Sequence, residues 1–322
     1  MAVYTEVGFE QADAFVRGLG RGRVTALAGI TAGIENTNYF VSSEQGEWVL
    51  TLFERLHSEQ LPFYLRYMQH LARHGIPVPE PQSDAQARIL HRLCGRPAAL
   101  LNRLPGRHVL APEATHLEQM GAMLARLHLA GADFELHQPH LRGLDWWTAT
   151  APEVRPFLDE ARARLLQGEL AFQRELAASA AARALPRGAI HADLFRDNVV
   201  FDEVQGEDRL SGLFDFFFAG IDTFLFDIAV CLNDWCVDPA AGRLAEDRAA
   251  IFCDAYQRVR PLSSGELRLM PALLRAAALR FWLSRLWDLH LPRDAALLQA
   301  KDPGHFEHVL RGHLERPWHP MT

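Results

Sequence analysis

The sequence predicts an α+β fold with two lobes: an N-terminal antiparallel sheet with helix, and a larger, mostly helical C-terminal lobe. Three observations lead to this prediction. The chain has 322 residues, which is more than one hydrophobic core usually supports. Strand-like runs between turn-forming residues dominate the first hundred residues, and helical periodicity dominates the rest. Apolar residues make up 49% of the chain, enough for a sizeable core.

The small lobe is predicted over residues 1–103 and is mostly β. Its strands are recognised as runs of β-branched and aromatic residues bounded by turn-forming residues. They are predicted at 24–27, 38–41, 48–53, 89–93 and 98–104. Apolar residues at helical spacing predict one helix within residues 1–20 and another over 60–74, where Gly75 supplies a stop signal.

The large lobe is predicted over residues 104–322 and begins where Pro105-Gly106 ends the last strand. Its apolar residues follow the helical period in most segments. Helices are predicted at roughly 112–130, 151–182, 226–236, 243–259, 265–289 and 303–314. The exception is a hairpin, for which we predict strand 198–202, turn 203–208 and strand 209–214.

Composition and charge exclude several classes of function. The net charge is 33 − 40 = −7, which argues against nucleic acid as a partner, because such binding depends on Lys and Arg that neutralise phosphates. No two cysteines have C-x-x-C spacing, so neither a zinc site nor a disulfide framework is indicated. We see no signal peptide and no apolar run long enough to span a membrane. A cytoplasmic protein without a membrane partner is expected, and the oligomeric state stays unknown.

The segment 191–198, His-Ala-Asp-Leu-Phe-Arg-Asp-Asn, has the residue spacing of a phosphotransferase catalytic loop. Asp193 can accept, or at least orient, the proton of an acceptor hydroxyl. Asn198 and Asp215 carry the hard oxygen atoms that Mg²⁺ prefers. The hairpin between them should bring positions 198 and 215 side by side. This combination predicts an ATP-dependent kinase.

Each of these residues also has an ordinary structural explanation. A single Asp in a loop is usually a turn former or a helix cap, so the prediction depends on the loop, the hairpin and the N-terminal β lobe occurring together. His191 is expected to assist catalysis by bracing the loop through its ring nitrogens, with Asp193 as the base. Asp227 begins an apolar run, where it caps a helix, holds the catalytic loop from behind, or does both.

The segment between the first two strands is the candidate turn for the phosphates of ATP. Backbone N–H groups in such a turn can face phosphate oxygens, although an ordinary hairpin fits the same residues, because the sequence is neither a Walker A nor a G-x-G-x-x-G motif. The candidate contacts are Gly29, Gly33, Asn36 and Asn38. The connector Leu100-Leu101-Asn102-Arg103, at the end of the small lobe, is expected to meet adenine mainly through its backbone.

One expected part of a kinase is missing. Kinases usually carry a lysine on the third strand that pairs with the phosphates of ATP. Thr51 stands at that position, and the small lobe has no lysine to replace it. Either another cation, such as Arg55 or Arg103, takes the role, or the metal carries more of the charge. A catalytically inactive nucleotide-binding protein is therefore an alternative, which the intact catalytic loop opposes.

With these motifs the chain resembles the aminoglycoside phosphotransferase-like superfamily, whose members are small-molecule kinases with a two-lobed, protein-kinase-like fold. The motifs are His191–Asn198, Asp215-Phe216 and Asp227-Ile228-Ala229. Within the superfamily, the insert Phe195-Arg196-Asp197 and the segments 29–40, 48–52, 104–108 and 279–285 resemble the bacterial homoserine kinases. The resemblance implies Asp193 as the catalytic base and Asn198 and Asp215 as Mg²⁺ ligands. It also implies phosphorylation of L-homoserine by ATP to O-phospho-L-homoserine, a step toward threonine.

A site for homoserine needs a cation for the carboxylate and an acid for the ammonium group. Arg280 and Arg285, on one face of a C-terminal helix, are candidates for the cation, and Asp234 is a candidate for the acid. Packing of a helix rich in Arg and Trp explains the same pattern without a substrate. Kinases of choline, aminoglycosides or methylthioribose are alternatives, and a choline site would need an aromatic cage. Its candidate walls are Trp146, Trp147, Trp235 and Trp282.

Overall fold

The computed structural model describes residues 4–30, 36–56, 58–238, 240–291 and 301–320. The chain divides into two compact units. The first unit comprises Met1–Gly106 with Ser211–Phe214, and the second comprises Arg107–Leu210 with Asp215–Thr322. An antiparallel sheet builds the first unit and helices dominate the second, which confirms the predicted α+β class.

As far as its residues are described, the first unit contains a five-stranded antiparallel sheet and two helices. Its elements are α1 (Phe9–Gly18), β1 (Val24–Ile30), β2 (Asn36–Ser43), β3 (Gly46–Phe53), α2 (Leu61–Arg73), β4 (His91–Leu93) and β5 (Arg96–Asn102). The strands lie in the order β1-β2-β3-β5-β4, and all neighbours are antiparallel. Each of the five predicted strands is present.

The two faces of this sheet carry different side chains. Tyr39 and Leu50 belong to a buried apolar cluster that also contains Val16 of α1, so α1 covers one face. The register of β2 and β3 pairs Asn38 with Thr51. Because side chains alternate along a strand, this polar pair lies on the face opposite the α1 core.

The second unit is mostly helical. Its elements are α3 (Ala114–Ala130), α4 (Leu144–Val154), α5 (Glu160–Ala178), α6 (Ala180–Arg183), β6 (Arg187–Ile190), β7 (Val199–Val204), β8 (Glu207–Leu213), β9 (Gly220–Thr223), α7 (Phe224–Trp235), β10 (Val237–Asp238), β11 (Arg243–Leu244), α8 (Glu246–Val259), α9 (Ser264–His290) and α10 (Gly304–Glu315). β8 ends in the segment that groups with the first unit. α4, α7 and α10 pack against the long helix α9, while α3 packs closely on α8.

The predicted hairpin is present, but its predicted six-residue turn is wrong. β7 and β8 are joined by Gln205 and Gly206 alone, and both residues have positive φ, 57° and 82°. Two successive residues with positive φ are typical of the tight turn whose twist matches that of the flanking strands. The polar residues on either side therefore continue the strands.

The predicted helix over residues 151–182 is wrong as a single element. α4 ends at Val154, and a 3-10 turn containing Pro156 follows. Proline cannot donate a backbone hydrogen bond, which favours a break in the helix here. A new helix starts after Asp159, whose carboxylate caps it by accepting the N–H of Arg162 at 2.8 Å.

Strands β6 and β9, of four residues each, were not predicted. They pair antiparallel, with Ile190 opposite Gly220, and the β7–β8 hairpin lies between them in the sequence.

No helix among the residues described combines the length and apolar character that a membrane crossing requires.

Candidate active site

The loop 191–198 leads from β6 into β7, and a buried carboxylate holds it from behind. Ala192 has a φ of 65°, a left-handed conformation that costs a non-glycine residue about 1–2 kcal/mol. Asp227, fully buried in the first turn of α7, accepts the N–H of His191 at 2.9 Å and that of Ala192 at 2.8 Å. Both oxygens of one carboxylate thus fix the strained start of the loop.

A chain of buried polar groups supports Asp227. The ring nitrogens of His128 lie 3.0 Å from Asp227 Oδ2 and 2.7 Å from the hydroxyl of Tyr256. Arg260 donates to that hydroxyl at 3.2 Å and to Glu266 at 2.9 Å. Burial lowers the pKa of His128, so the ring is neutral: Nε2 donates to Asp227 and Nδ1 accepts from Tyr256. Burial is the largest single influence on the pKa of Asp227 and tends to raise it, but the hydrogen bond from His128 and the contacts with His191 together outweigh burial, so the pKa is lowered.

Hydrogen bonds within the loop fix Asp193. The side-chain amide of Asn198 donates to the backbone carbonyl of Asp193 at 2.8 Å and lies 3.5 Å from its Oδ2. The backbone N–H of Asp193 donates to Nδ1 of His191 at 3.2 Å. His191 is therefore engaged as a brace, with its ring fully buried.

Asp215 follows β8 and meets the same loop through its neighbour. Its own φ is 65°, and a short 3-10 turn, Phe216–Phe218, comes next. The ring of Phe216 packs on His191 with the ring centroids 4.4 Å apart. The structure thus brings the segment of Asp215 against the loop that carries Asp193 and Asn198.

The oxygen atoms in this region suit a hard divalent cation. The Nδ2 of Asn198 is used inside the loop, which leaves its Oδ1 as the atom available for coordination. Asp215 supplies a carboxylate. An amide oxygen and a carboxylate oxygen are ligands that Mg²⁺ accepts, with water and phosphate completing its coordination.

The two candidate arginines of α9 contact different groups. Arg280 is buried, and its Nη1 lies 3.5 Å from Asp193 Oδ1. Arg285 is half-buried, donates to the carbonyl of Asp302 at 2.9 Å, and stacks on Phe306. Burial lowers the pKa of Arg285 against the opposing effect of nearby acids. Only the first of the two therefore touches the proposed base.

Asp234, the candidate for the ammonium group, is paired with Arg196 of the catalytic loop. Its Oδ2 accepts both the backbone N–H of Arg196 at 2.8 Å and the Nε at 3.0 Å, whereas its Oδ1 has a longer contact of 3.3 Å with Nη2. No role was predicted for Arg196 or for His128. The sequence around a single His or Arg does not indicate which acidic residue will pair with it, because tertiary packing alone brings the two together.

The residues predicted to bind ATP all belong to the first unit. Asn38 accepts a hydrogen bond of 2.7 Å from the hydroxyl of Thr51, so the residue in place of lysine supports a neighbouring amide. Asn36 is buried, and its Oδ1 has no hydrogen-bond partner among the residues described. Gly29 pairs with Tyr39 in the sheet, and Gly33 lies outside the described residues.

The connector residues of the first unit differ in exposure. Leu101 is buried in β5. Arg103 is exposed, with its guanidinium 4.2 Å from the ring centre of Phe40 and 3.6 Å from a carboxylate oxygen of Glu47. Arg55 has a buried Nη2 that lacks a hydrogen-bond partner within the described part of the chain. Of the two arginines that could replace the third-strand lysine, Arg55 therefore has the side chain with fewer polar contacts.

The tryptophans considered for an aromatic cage serve other purposes. Trp147, Trp235 and Trp282 are buried in the core. The ring of Trp146 is already covered by a guanidinium, that of Arg142, at 4.3 Å. The faces that would surround a quaternary ammonium ion are therefore occupied.

Known proteins resemble this chain over almost all of its length. Residues 26–262 match the family described as "Phosphotransferase enzyme family". A homoserine kinase of Polaromonas naphthalenivorans is 60% identical, over 99% of this chain and 99% of that protein. A homoserine kinase of Ralstonia nicotianae is 52% identical, over 97% of this chain and 95% of that protein.

Solved structures share the fold at low sequence identity. Amicoumacin kinase hAmiN, in a complex with AMP-PNP, Ca²⁺ and Ami, has a TM-score of 0.66 at 18% identity, covering 90% of this chain and 87% of that one. A choline kinase of Cryptosporidium parvum has a TM-score of 0.62 at 14% identity, covering 91% and 89%.

Proposed function

The chain belongs to the phosphotransferase enzyme family and groups with its homoserine kinases, and on that premise we propose that it phosphorylates the side-chain hydroxyl of L-homoserine with ATP. The products are O-phospho-L-homoserine and ADP. The observation that carries this proposal is the 60% identity with a homoserine kinase along 99% of both chains. Such a match extends far beyond the catalytic loop, so it includes the regions that select the acceptor.

Asp193 is the proposed catalytic base. An oxygen–phosphorus bond forms between the homoserine hydroxyl and the γ-phosphorus, while the bond to the β–γ bridging oxygen breaks and ADP leaves. The hydroxyl proton passes to the carboxylate of Asp193. Asn198 and His191 support this step by fixing the backbone on both sides of Asp193, and Asp227 supports it by anchoring the loop.

Asn198 and Asp215 are the proposed ligands of Mg²⁺. Their oxygens match its preference, and the loop amide bond leaves Asn198 Oδ1 available. When bound, the ion neutralises negative charge on the phosphate oxygens. The protein's own contribution is to supply an amide within the catalytic loop and a carboxylate in the segment that packs on that loop through Phe216.

The first unit is proposed to bind ATP. Gly29, Gly33, Asn36 and Asn38 would meet the phosphates, and Leu101 and Arg103 would lie at the adenine. The Oδ1 of Asn36, which is buried and has no hydrogen-bond partner among the described residues, supports a ligand contact at this end of β2. We further propose that Arg55 supplies the charge that a third-strand lysine gives other kinases, since the single lysine of the chain is Lys301.

Arg285 and Asp234 are proposed to recognise the two charged groups of homoserine. Asp234 Oδ1 has the longer contact with Arg196, and this oxygen is the one proposed for the ammonium group. Arg285 would bind the carboxylate.

Because ATP is made and used in the cytoplasm, we propose that the enzyme acts there.

The test is ADP release from ATP and Mg²⁺ in the presence of single acceptors: L-homoserine, choline, kanamycin and methylthioribose. Turnover with L-homoserine alone is the expected result. Asp193→Asn should abolish turnover while ATP still binds, and Arg285→Met should raise KM for homoserine far more than KM for ATP. Preference for another acceptor, or no transfer to any of the four, would overturn the proposal.

A further inference from the structure

Arg280 is a buried cation next to the proposed base. It lies in the middle of α9, and only 2% of its surface is exposed. Its Nη1 is 3.5 Å from Asp193 Oδ1. Arginine stays protonated in proteins, so a full positive charge is fixed beside this carboxylate. A buried ion pair offsets the cost of removing its charges from water only when the two groups are held in a well-defined geometry.

Aromatic rings enclose the same guanidinium. Its central carbon lies 3.7 Å from the ring centre of Phe281 and 5.0 Å from that of Phe218. Such contacts hold a guanidinium over the ring faces and favour the charged group there. Phe218 closes the 3-10 turn that follows Asp215. One side chain therefore contacts the base and the turn next to a proposed metal ligand.

A buried and enclosed guanidinium is poorly placed to bind the carboxylate of a diffusible substrate. Binding would require that carboxylate to enter a packed site next to the negative charge of Asp193. Arg285, by contrast, is half-buried and pairs with a backbone carbonyl. The two arginines, five positions apart on α9, thus have surroundings suited to different tasks.

We propose that Arg280 is a positioning residue for catalysis: it holds the carboxylate of Asp193 in line with the acceptor hydroxyl and links it to the turn after Asp215. This inference rests on the proposed homoserine kinase activity. Positioning errors of about 1 Å can lower turnover about 100-fold. Loss of Arg280 should therefore lower kcat, with little effect on the affinity for either substrate.

The experiment compares Arg280→Met, Arg280→Gln and Arg280→Lys in steady-state kinetics, with urea unfolding of each variant. Met and Gln should lower kcat about 100-fold, with KM for homoserine within threefold of the parent. Lys keeps a cation but not the planar guanidinium, so it should restore part of the lost kcat. Recovery by lysine is a readout that a merely structural residue would not give.

The matched control is Arg275→Met on the same helix. Arg275 also pairs with a carboxylate, that of Glu169, and stacks on a ring, that of Phe172 at 3.8 Å. Within the described parts of the chain, it makes no hydrogen bond or ion pair with a proposed site residue. Its loss should reduce stability and leave kcat unchanged.

Three outcomes would overturn the inference: a tenfold rise in KM for homoserine with kcat kept, equal loss of kcat in all three Arg280 variants, or unchanged kinetics. If Arg280→Met does not fold, the comparison of Gln with Lys decides the question. Failure of the parent protein to phosphorylate homoserine would instead refute the proposed function, so the two failures are distinguishable.

Discussion

Mild acid should weaken this fold through His313, a buried histidine of α10. Its Nε2 lies 2.7 Å from the side-chain oxygen of Asn233 on α7. Asn233 in turn donates its amide to the carbonyl of Leu274 on α9 at 2.9 Å. The histidine thus completes a hydrogen-bonded connection among three helices. Burial, with a smaller effect from Arg275, lowers the pKa of His313 from 6.5 to about 4.

The direction of the effect follows from this depressed pKa. As the pH falls below 6.5, the unfolded chain takes up a proton at this position and the folded chain does not, so the unfolded state gains stability. The contribution of His313 is fully present above pH 6.5 and is lost as the pH falls through about 4. The integrated loss is about 2 kcal/mol between pH 7 and pH 5. It reaches about 3 kcal/mol at pH 4.

The measurement is urea unfolding from pH 7 to pH 5 for the parent protein and for His313→Gln. The variant cannot titrate here, so its free energy of unfolding should fall by about 2 kcal/mol less than that of the parent over this range. His137→Gln makes the same change at an exposed position and should follow the parent curve. Parallel curves for the parent and His313→Gln would refute the reasoning.

Three further predictions concern the loop anchor, helix packing and thiols. Asp227→Ala should lower the free energy of unfolding in urea by about 3–5 kcal/mol, because buried donors lose their shared acceptor; a loss below about 1 kcal/mol would contradict the anchoring role. Gly121→Ala should destabilise by about 1–3 kcal/mol, since its Cβ would lie 2.2 Å from the carbonyl oxygen of Phe252. The control Gly18→Ala has no atom within 4 Å of its Cβ and should not destabilise. Ellman's reagent should react quickly with exposed Cys94 alone, because burial raises the pKa of the other three thiols; a second fast thiol before denaturation would argue against this burial.

Local patterns were sufficient to predict most of the elements. The strands of the first unit follow from β-branched runs and turn residues, and these signals act over only a few positions. One failure has a local cause, because Pro156 and the Asp159 cap divide what looked like one helix. Another does not, because β6 and β9 pair with each other across the hairpin that separates them in the sequence.

The sequence by itself determined the chemistry available at the loop: the spacing of Asp193, Asn198 and Asp215 does not depend on anything distant in the chain. Tertiary structure alone decided the partners of that loop. Arg280 meets Asp193 and Arg196 meets Asp234 across long stretches of sequence, and no residue pattern encodes those pairs. The physical reason is that backbone preference and periodicity extend over a turn or two, whereas a buried charge takes its partner from whichever helix packs beside it.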